Sequence, residues 1–151
     1  MNLSRRTVTA AALAVAALGG TAVFAGPAAA APRTTAVAAA DATAQAAYNG
    51  VCGTGYTVID STPVPDKGTV YVTYNKTTGK NCAVSIRNNP GTPVWMAVSL
   101  NIDAGRGAPS VTDSGSYSTY AGPIYLDAKG QCIQWNTAID GVGANGHGHC
   151  G

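Results

Sequence analysis

From Cys52 onward apolar and polar residues alternate with a period of two, the signature of strands that bury one face. In residues 68–74, Val70, Val72 and Tyr74 point one way while Thr69, Tyr71 and Thr73 point the other. After the turn residues 76–79, Cys82, Val84 and Ile86 alternate with Ala83, Ser85 and Arg87, which completes a predicted hairpin. Residues 93–103 give the cleanest alternation, with Val94, Met96, Val98, Leu100 and Ile102 on one face and Trp95, Ala97, Ser99 and Asn101 on the other. Further strands are predicted over residues 56–61, 115–120, 123–126 and 132–139, at the short spacing of sandwiches and barrels. The predicted fold class is therefore all-β, a small antiparallel sandwich or barrel. The pattern contains no internal repeat and no amphipathic helix of useful length.

The N-terminal third has a different texture. Ser4, Arg5 and Arg6 precede an Ala/Gly/Thr-rich apolar run over residues 10–25 that ends in Ala28-Ala29-Ala30-Ala31-Pro32. This reads as a signal peptide over residues 1–31, cleaved near Ala30 or Ala31. Gly19, Gly20, Thr21, Gly26 and Pro27 break it too often for a spanning helix, so no membrane segment is expected once it is removed. Ser4-Arg5-Arg6-Thr7-Val8 partly matches the twin-arginine export signal. The general secretory route is the expectation, because no cofactor motif follows and cysteines oxidise more readily after export. Residues 32–47 are read as a flexible Ala/Thr-rich leader and residues 48–151 as one all-β domain.

Charge changes the list of partners. The formal net charge is +2, and Arg5 and Arg6 supply that excess, so the mature chain is balanced and lacks the electrostatic footprint of a nucleic-acid binder. Glutamate is absent, and Phe24 lies in the export segment, so the mature aromatics are all Tyr or Trp. Such rings pair an apolar body with a polar tip.

Cys52, Cys82, Cys132 and Cys150 are even in number and widely spaced, with no Cys-x-x-Cys pair. In an exported chain this pattern means disulfides rather than zinc or redox work. Of three possible pairings, Cys52 with Cys82 and Cys132 with Cys150 is expected, since the second bridge ties down a tail over residues 141–151 that has little else to bury.

No constellation of catalytic residues emerges. His147 and His149 with Asp140 form the only candidate metal set, weaker than any paired zinc signature, and the expectation there is an exposed Gly/His-rich loop. The acids are all aspartates at predicted turns or strand ends, unlike the two differently tuned carboxylates of a glycosidase. A serine nucleophile elbow is missing. Catalytic residues, metal and cofactor are thus all read as none, and Asn75-Lys76-Thr77 is read as a turn. Asp113-Ser114-Gly115-Ser116-Tyr117 is like a tyrosine corner, in which a tyrosine hydroxyl returns to nearby backbone. Trp95 and Tyr71 lie opposite the main apolar stripes. Burial under a second sheet is expected for them, with an exposed aromatic platform for sugars as the alternative. The loop over residues 103–110 presents Arg106 between glycines, which suggests as a second function a secreted protease inhibitor.

The segments Tyr48-Asn49-Gly50-Val51-Cys52-Gly53-Thr54-Gly55-Tyr56, Thr69-Val70-Tyr71, Gly79-Lys80-Asn81-Cys82, Tyr120-Ala121-Gly122-Pro123, Cys132-Ile133-Gln134-Trp135 and Gly148-His149-Cys150-Gly151 resemble the spore-associated protein A family of filamentous actinomycetes. The resemblance spans most of the mature chain and includes all four cysteines. It implies a small secreted protein found with spores, without a catalytic role or cofactor to carry over. The expected function is a non-enzymatic protein of the spore or cell-wall surface, whose molecular partner and oligomeric state the sequence does not specify.

Overall fold

The computed structural model describes residues 45–151. The predicted signal peptide and most of the predicted leader lie outside the described residues. The order is β1 (Tyr56–Val64), β2 (Gly68–Asn75), β3 (Lys80–Arg87), β4 (Val94–Ile102), β5 (Ser110–Tyr117), β6 (Tyr120–Asp127), β7 (Ile133–Ile139) and β8 (Val142–Gly148). They form two four-stranded sheets, ordered β1-β2-β3-β6 and β5-β4-β7-β8, and every neighbouring pair is antiparallel. No helix occurs among the described residues. The alternation predicts an all-β sandwich or barrel, and the two separate sheets make it the sandwich.

The main core lies between the sheets. Val70, Val72 and Ala83 of the first sheet meet Met96, Val98, Leu100, Ile133, Trp135 and Ile139 of the second, all nearly inaccessible. Trp135 is the largest of the fully buried side chains. Its ring lies over Gly146, where a Cβ would fall 2.4 Å from Trp135 Cζ2, so only glycine permits this packing. The indole N–H donates to Thr62 Oγ1 at 2.9 Å, which satisfies the one polar atom the ring carries into the core. Deeper in, Thr137 Oγ1 donates to Ser85 Oγ at 2.6 Å, joining the two sheets by a buried hydroxyl pair.

β3 buries both faces. Ala83 and Ser85 face the other sheet, while the larger Cys82, Val84 and Ile86 face outward. That outer face is covered by the segment before β1 and by the strand's first residue: Ala46, Tyr48, Val51, Cys52 and Tyr56 pack on it together with Tyr71 and Tyr120. The bridge Cys52–Cys82 fastens the cover. Ala46 N–H donates to Asn88 Oδ1 and the Tyr71 hydroxyl to Ala46 C=O, so the packed chain already includes residues expected in the leader. The second bridge, Cys132–Cys150, returns the chain end to the start of β7.

Two expectations are corrected. The segment of His147, expected as an exposed Gly/His-rich loop, is a strand as far as Gly148: β8 pairs with β7 along seven residues, from Ile139↔Val142 to Ile133↔Gly148, and His149 follows it. Gly143, Gly146, Gly148 and Asn145 hide the strand from propensity. Its marker is the two-residue turn Asp140-Gly141, whose φ values of 49° and 80° are those of a type I′ hairpin. The strand predicted over residues 115–120 runs instead from Ser110 to Tyr117, and Ser118-Thr119 is a turn. Here Ser, Asp and Gly fill a strand whose apolar inward positions are only Val111 and Tyr117.

Replacing Cys52 and Cys82 together by serine opens a loop of sequence separation 30, and a stability loss of roughly 3 kcal/mol is expected from chain entropy. Denaturant unfolding should show that loss with binding of a hydrophobic dye as Val84 and Ile86 are uncovered. An unchanged midpoint would show that the cover holds without its tie.

Candidate functional site

The two outer faces of the sandwich are chemically opposite. The first sheet's is apolar along β3 and covered there, with Val58 and Tyr125 left partly exposed at its sides. The second sheet's is open, and register aligns its side chains in rows. Ser110, Asn101, Gln134 and His147 form one row across β5, β4, β7 and β8; Thr112, Ser99, Asn136 and Asn145 form the next. A third row is small: Ser114, Ala97, Ala138 and Gly143. Beyond it Trp95 stands opposite Ser116.

These rows hold no Lys, Arg, Asp or Glu, and His147 is their one titratable side chain. Their polar groups are partly tied together. Asn101 Nδ2 donates to Gln134 Oε1 at 3.1 Å, Asn136 Nδ2 to Ser99 Oγ at 3.4 Å, and Ser110 Oγ to Asn101 Oδ1 at 3.5 Å. Each amide has a further N–H and spare lone pairs. The small row leaves a depression of about 250 Å³, floored by Ala97 and Ala138 and edged by Ser99, Thr112 and Asn136. Trp95 is 54% exposed, the most exposed large apolar side chain of the described residues.

Trp95 is thus not buried under a second sheet. Alternation placed it opposite the apolar stripe correctly, but nothing covers that face as residues 45–56 cover the other. Tyr71 belongs to that other face: it is half-buried, with its ring centroid 5.6 Å from that of Tyr48. Trp95 and Tyr71 therefore do not form one platform. Arg106 is exposed in the loop between β4 and β5, beside a hollow it shares with Asn101, Ser110 and Gln134. The structure so brings Trp95 and Arg106 to opposite ends of one sheet. Gly105 and Gly107 flank Arg106 with φ of 83° and 82°, and the loop's neck is closed by Ile102 N–H to Pro109 C=O at 3.0 Å.

The loops around Trp95 are held by charge. The guanidinium of Arg87 donates to the carbonyls of Thr92, Tyr117 and Ser118, locking the approach to β4 against the β5–β6 turn. Asp140 N–H donates to Trp95 C=O at 2.9 Å, while its carboxylate pairs with Lys67 at 2.6 Å. The hydrogen bond from Lys67, and then its charge, hold the Asp140 carboxyl below the usual range. Stability from this pair is therefore present at and above ordinary carboxylate pH and is lost as pH falls through the lowered value.

Asp113 and Asp60, expected at turns, lie inside strands and hold other groups. Asp113 accepts from the Tyr117 hydroxyl at 2.6 Å and from Gly122 N–H at 2.7 Å, joining β5 to β6 across the two sheets. The tyrosine corner is thus closed by a carboxylate rather than backbone. Asp60 Oδ2 lies 3.3 Å from His149 Nε2, beside the Trp135 ring, whereas His147 lies on the open face. The two histidines point to different surroundings, and no group of three metal-ligating side chains occurs among the described residues. Asn75 Oδ1 accepts from Thr77 and Thr78 N–H and shapes the β2–β3 turn. The signal that sequence reasoning missed is the polar side of β5, β7 and β8, which register alone assembles into a field.

Spore-associated protein A of Streptomyces coelicolor is 48% identical over 118 residues, which are 77% of this chain and 75% of that protein. No protein-family model matches the chain, and no solved structure matches it.

The Asp113 hydrogen bond, then burial, then the Asp113 charge raise the Tyr117 hydroxyl above its ordinary value. The neutral phenol stabilises the fold below about pH 10, and that contribution is lost as pH rises through the raised value. Asp113→Asn should make one tyrosine of the seven ionise earlier in an ultraviolet alkaline titration. Superimposable titrations of the two proteins would show that Asp113 does not control Tyr117.

Proposed function

The chain belongs to the spore-associated protein A family, and from that membership we propose that it is a secreted, non-enzymatic protein that attaches to the spore or cell-wall surface through the open face carrying Trp95. The observation that supports this most is the pairing of an exposed indole with rows of uncharged hydrogen-bonding side chains, on a sheet whose counterpart is already covered. A face meeting only water usually carries Lys, Glu, Asp or Arg. Export fits the two disulfides, which persist in oxidising surroundings.

Attachment of this kind does not depend on charge. Washing spores with about 1 M salt shortens the screening length to roughly 3 Å and should leave most of the protein in place. Trp95→Ala, whose side chain is mostly in solvent, should fold normally and lose retention. Release of nearly all wild-type protein by salt, or normal retention of the folded variant, would contradict the proposal.

A further inference from the structure

The open face has a more specific chemistry than general adhesion. We infer that it binds an uncharged β-linked polysaccharide, laid along the strands of β5-β4-β7-β8 with one sugar ring stacked on Trp95. The inference rests on the surface-attachment reading above and names its ligand.

Such a polymer presents two textures: bare C–H ring faces and a rim of equatorial hydroxyls that both donate and accept. The face offers a counterpart to each. Trp95 gives a flat apolar ring with its backbone fixed by Asp140, and its side chain is 54% exposed. Beside it the small row forms the 250 Å³ depression, low enough for a chain to pass without meeting a bulky side chain. Past the depression, Ser99, Asn136, Asn101 and Gln134 are oriented by cross-strand hydrogen bonds yet keep free amide protons and lone pairs. These bonds order the side chains in part before any ligand arrives, which lowers the entropic penalty of binding.

Dimension agrees with chemistry. Trp95 and Asn101 are six residues apart on β4, which at roughly 3.3 Å per residue is about 20 Å, the reach of an oligosaccharide rather than a single ring. Other occupants fit less well. An anionic wall polymer would meet no cation on the rows, and Arg106 stands only at their far end. A second copy of the chain needs an apolar interface centre, whereas here one indole borders amides and hydroxyls. The face carries no pair of carboxylates of the kind most glycosidases use, and the inference is of binding alone.

The test uses the mature chain with suspended microcrystalline cellulose and chitin, soluble cellohexaose followed by tryptophan fluorescence, and polyglutamate as an anionic control. Saturable binding to at least one uncharged polymer is expected, persisting at about 1 M salt. Trp95→Ala should weaken it about tenfold or more, a loss of 1.4 kcal/mol or more. Ala97→Arg, which fills the depression from an outward position, should weaken it independently, while Lys76→Ala in the β2–β3 turn should not. Retention on spores without binding to any uncharged polymer would overturn the ligand and leave the attachment reading standing. Polysaccharide binding without retention would do the reverse. Salt-sensitive preference for polyglutamate, or self-association abolished by Trp95→Ala in place of polysaccharide binding, would also overturn it.

Discussion

The Cys52–Cys82 bridge pins residues 45–56 across the outside of one sheet, and the rest of the molecule's chemistry follows from which sheet that is. A sandwich of two sheets has two outer faces. β3 sends its larger apolar residues outward and its small ones inward, so the first sheet would expose Val84 and Ile86 without a cover. Tyr48, Tyr56 and Tyr71 supply that cover, and their polar tips find backbone or solvent at its margin. The second sheet has no such segment, and its outward residues, Trp95 apart, are polar or small.

The inner packing anchors that second sheet, whose strands pair in continuous register. Trp135 fills the core because Gly146 leaves it room and Thr62 accepts its N–H. Ser85 and Thr137 join the sheets at depth, and the Cys132–Cys150 bridge secures the end of the edge strand β8. At the Trp95 end, Arg87, the Lys67–Asp140 pair and the Asp113 clamp fix the surrounding turns to one another. The exposed Lys67–Asp140 pair adds little to global stability. Its consequence here is positional, since it ties the β7–β8 turn beside β4 to the opposite sheet.

Strands rich in Val, Ile and Leu were legible from alternation alone, as in β2 and β4, because burial of one face forces period two. β5 and β8 were not, since Ser, Gly, Asn and His carry no such contrast, although Asp140-Gly141 marks the β7–β8 hairpin for any reading that weighs turn chemistry as heavily as hydropathy. The open face was illegible for a different reason. Ser99, Asn136 and Asn145 each look like an ordinary solvent-facing residue, and only pairing across three strands makes them neighbours. Alternation likewise fixed which way Trp95 and Tyr71 point but not what lies over them. That depended on where the 45–56 segment folds back, a long-range contact that local pattern does not encode.

On the proposed reading, contact is made by the face of Trp95 and not by the outer face of the first sheet. Hydroxyl-radical footprinting of the protein free and bound to spores tests it within one molecule, because Trp95 and Tyr125 are exposed to comparable degrees, 54% and 41%, on opposite sheets. The account predicts that binding protects Trp95 from oxidation several-fold while Tyr125 reacts at its free rate. Protection of Tyr125 with Trp95 unchanged would contradict it.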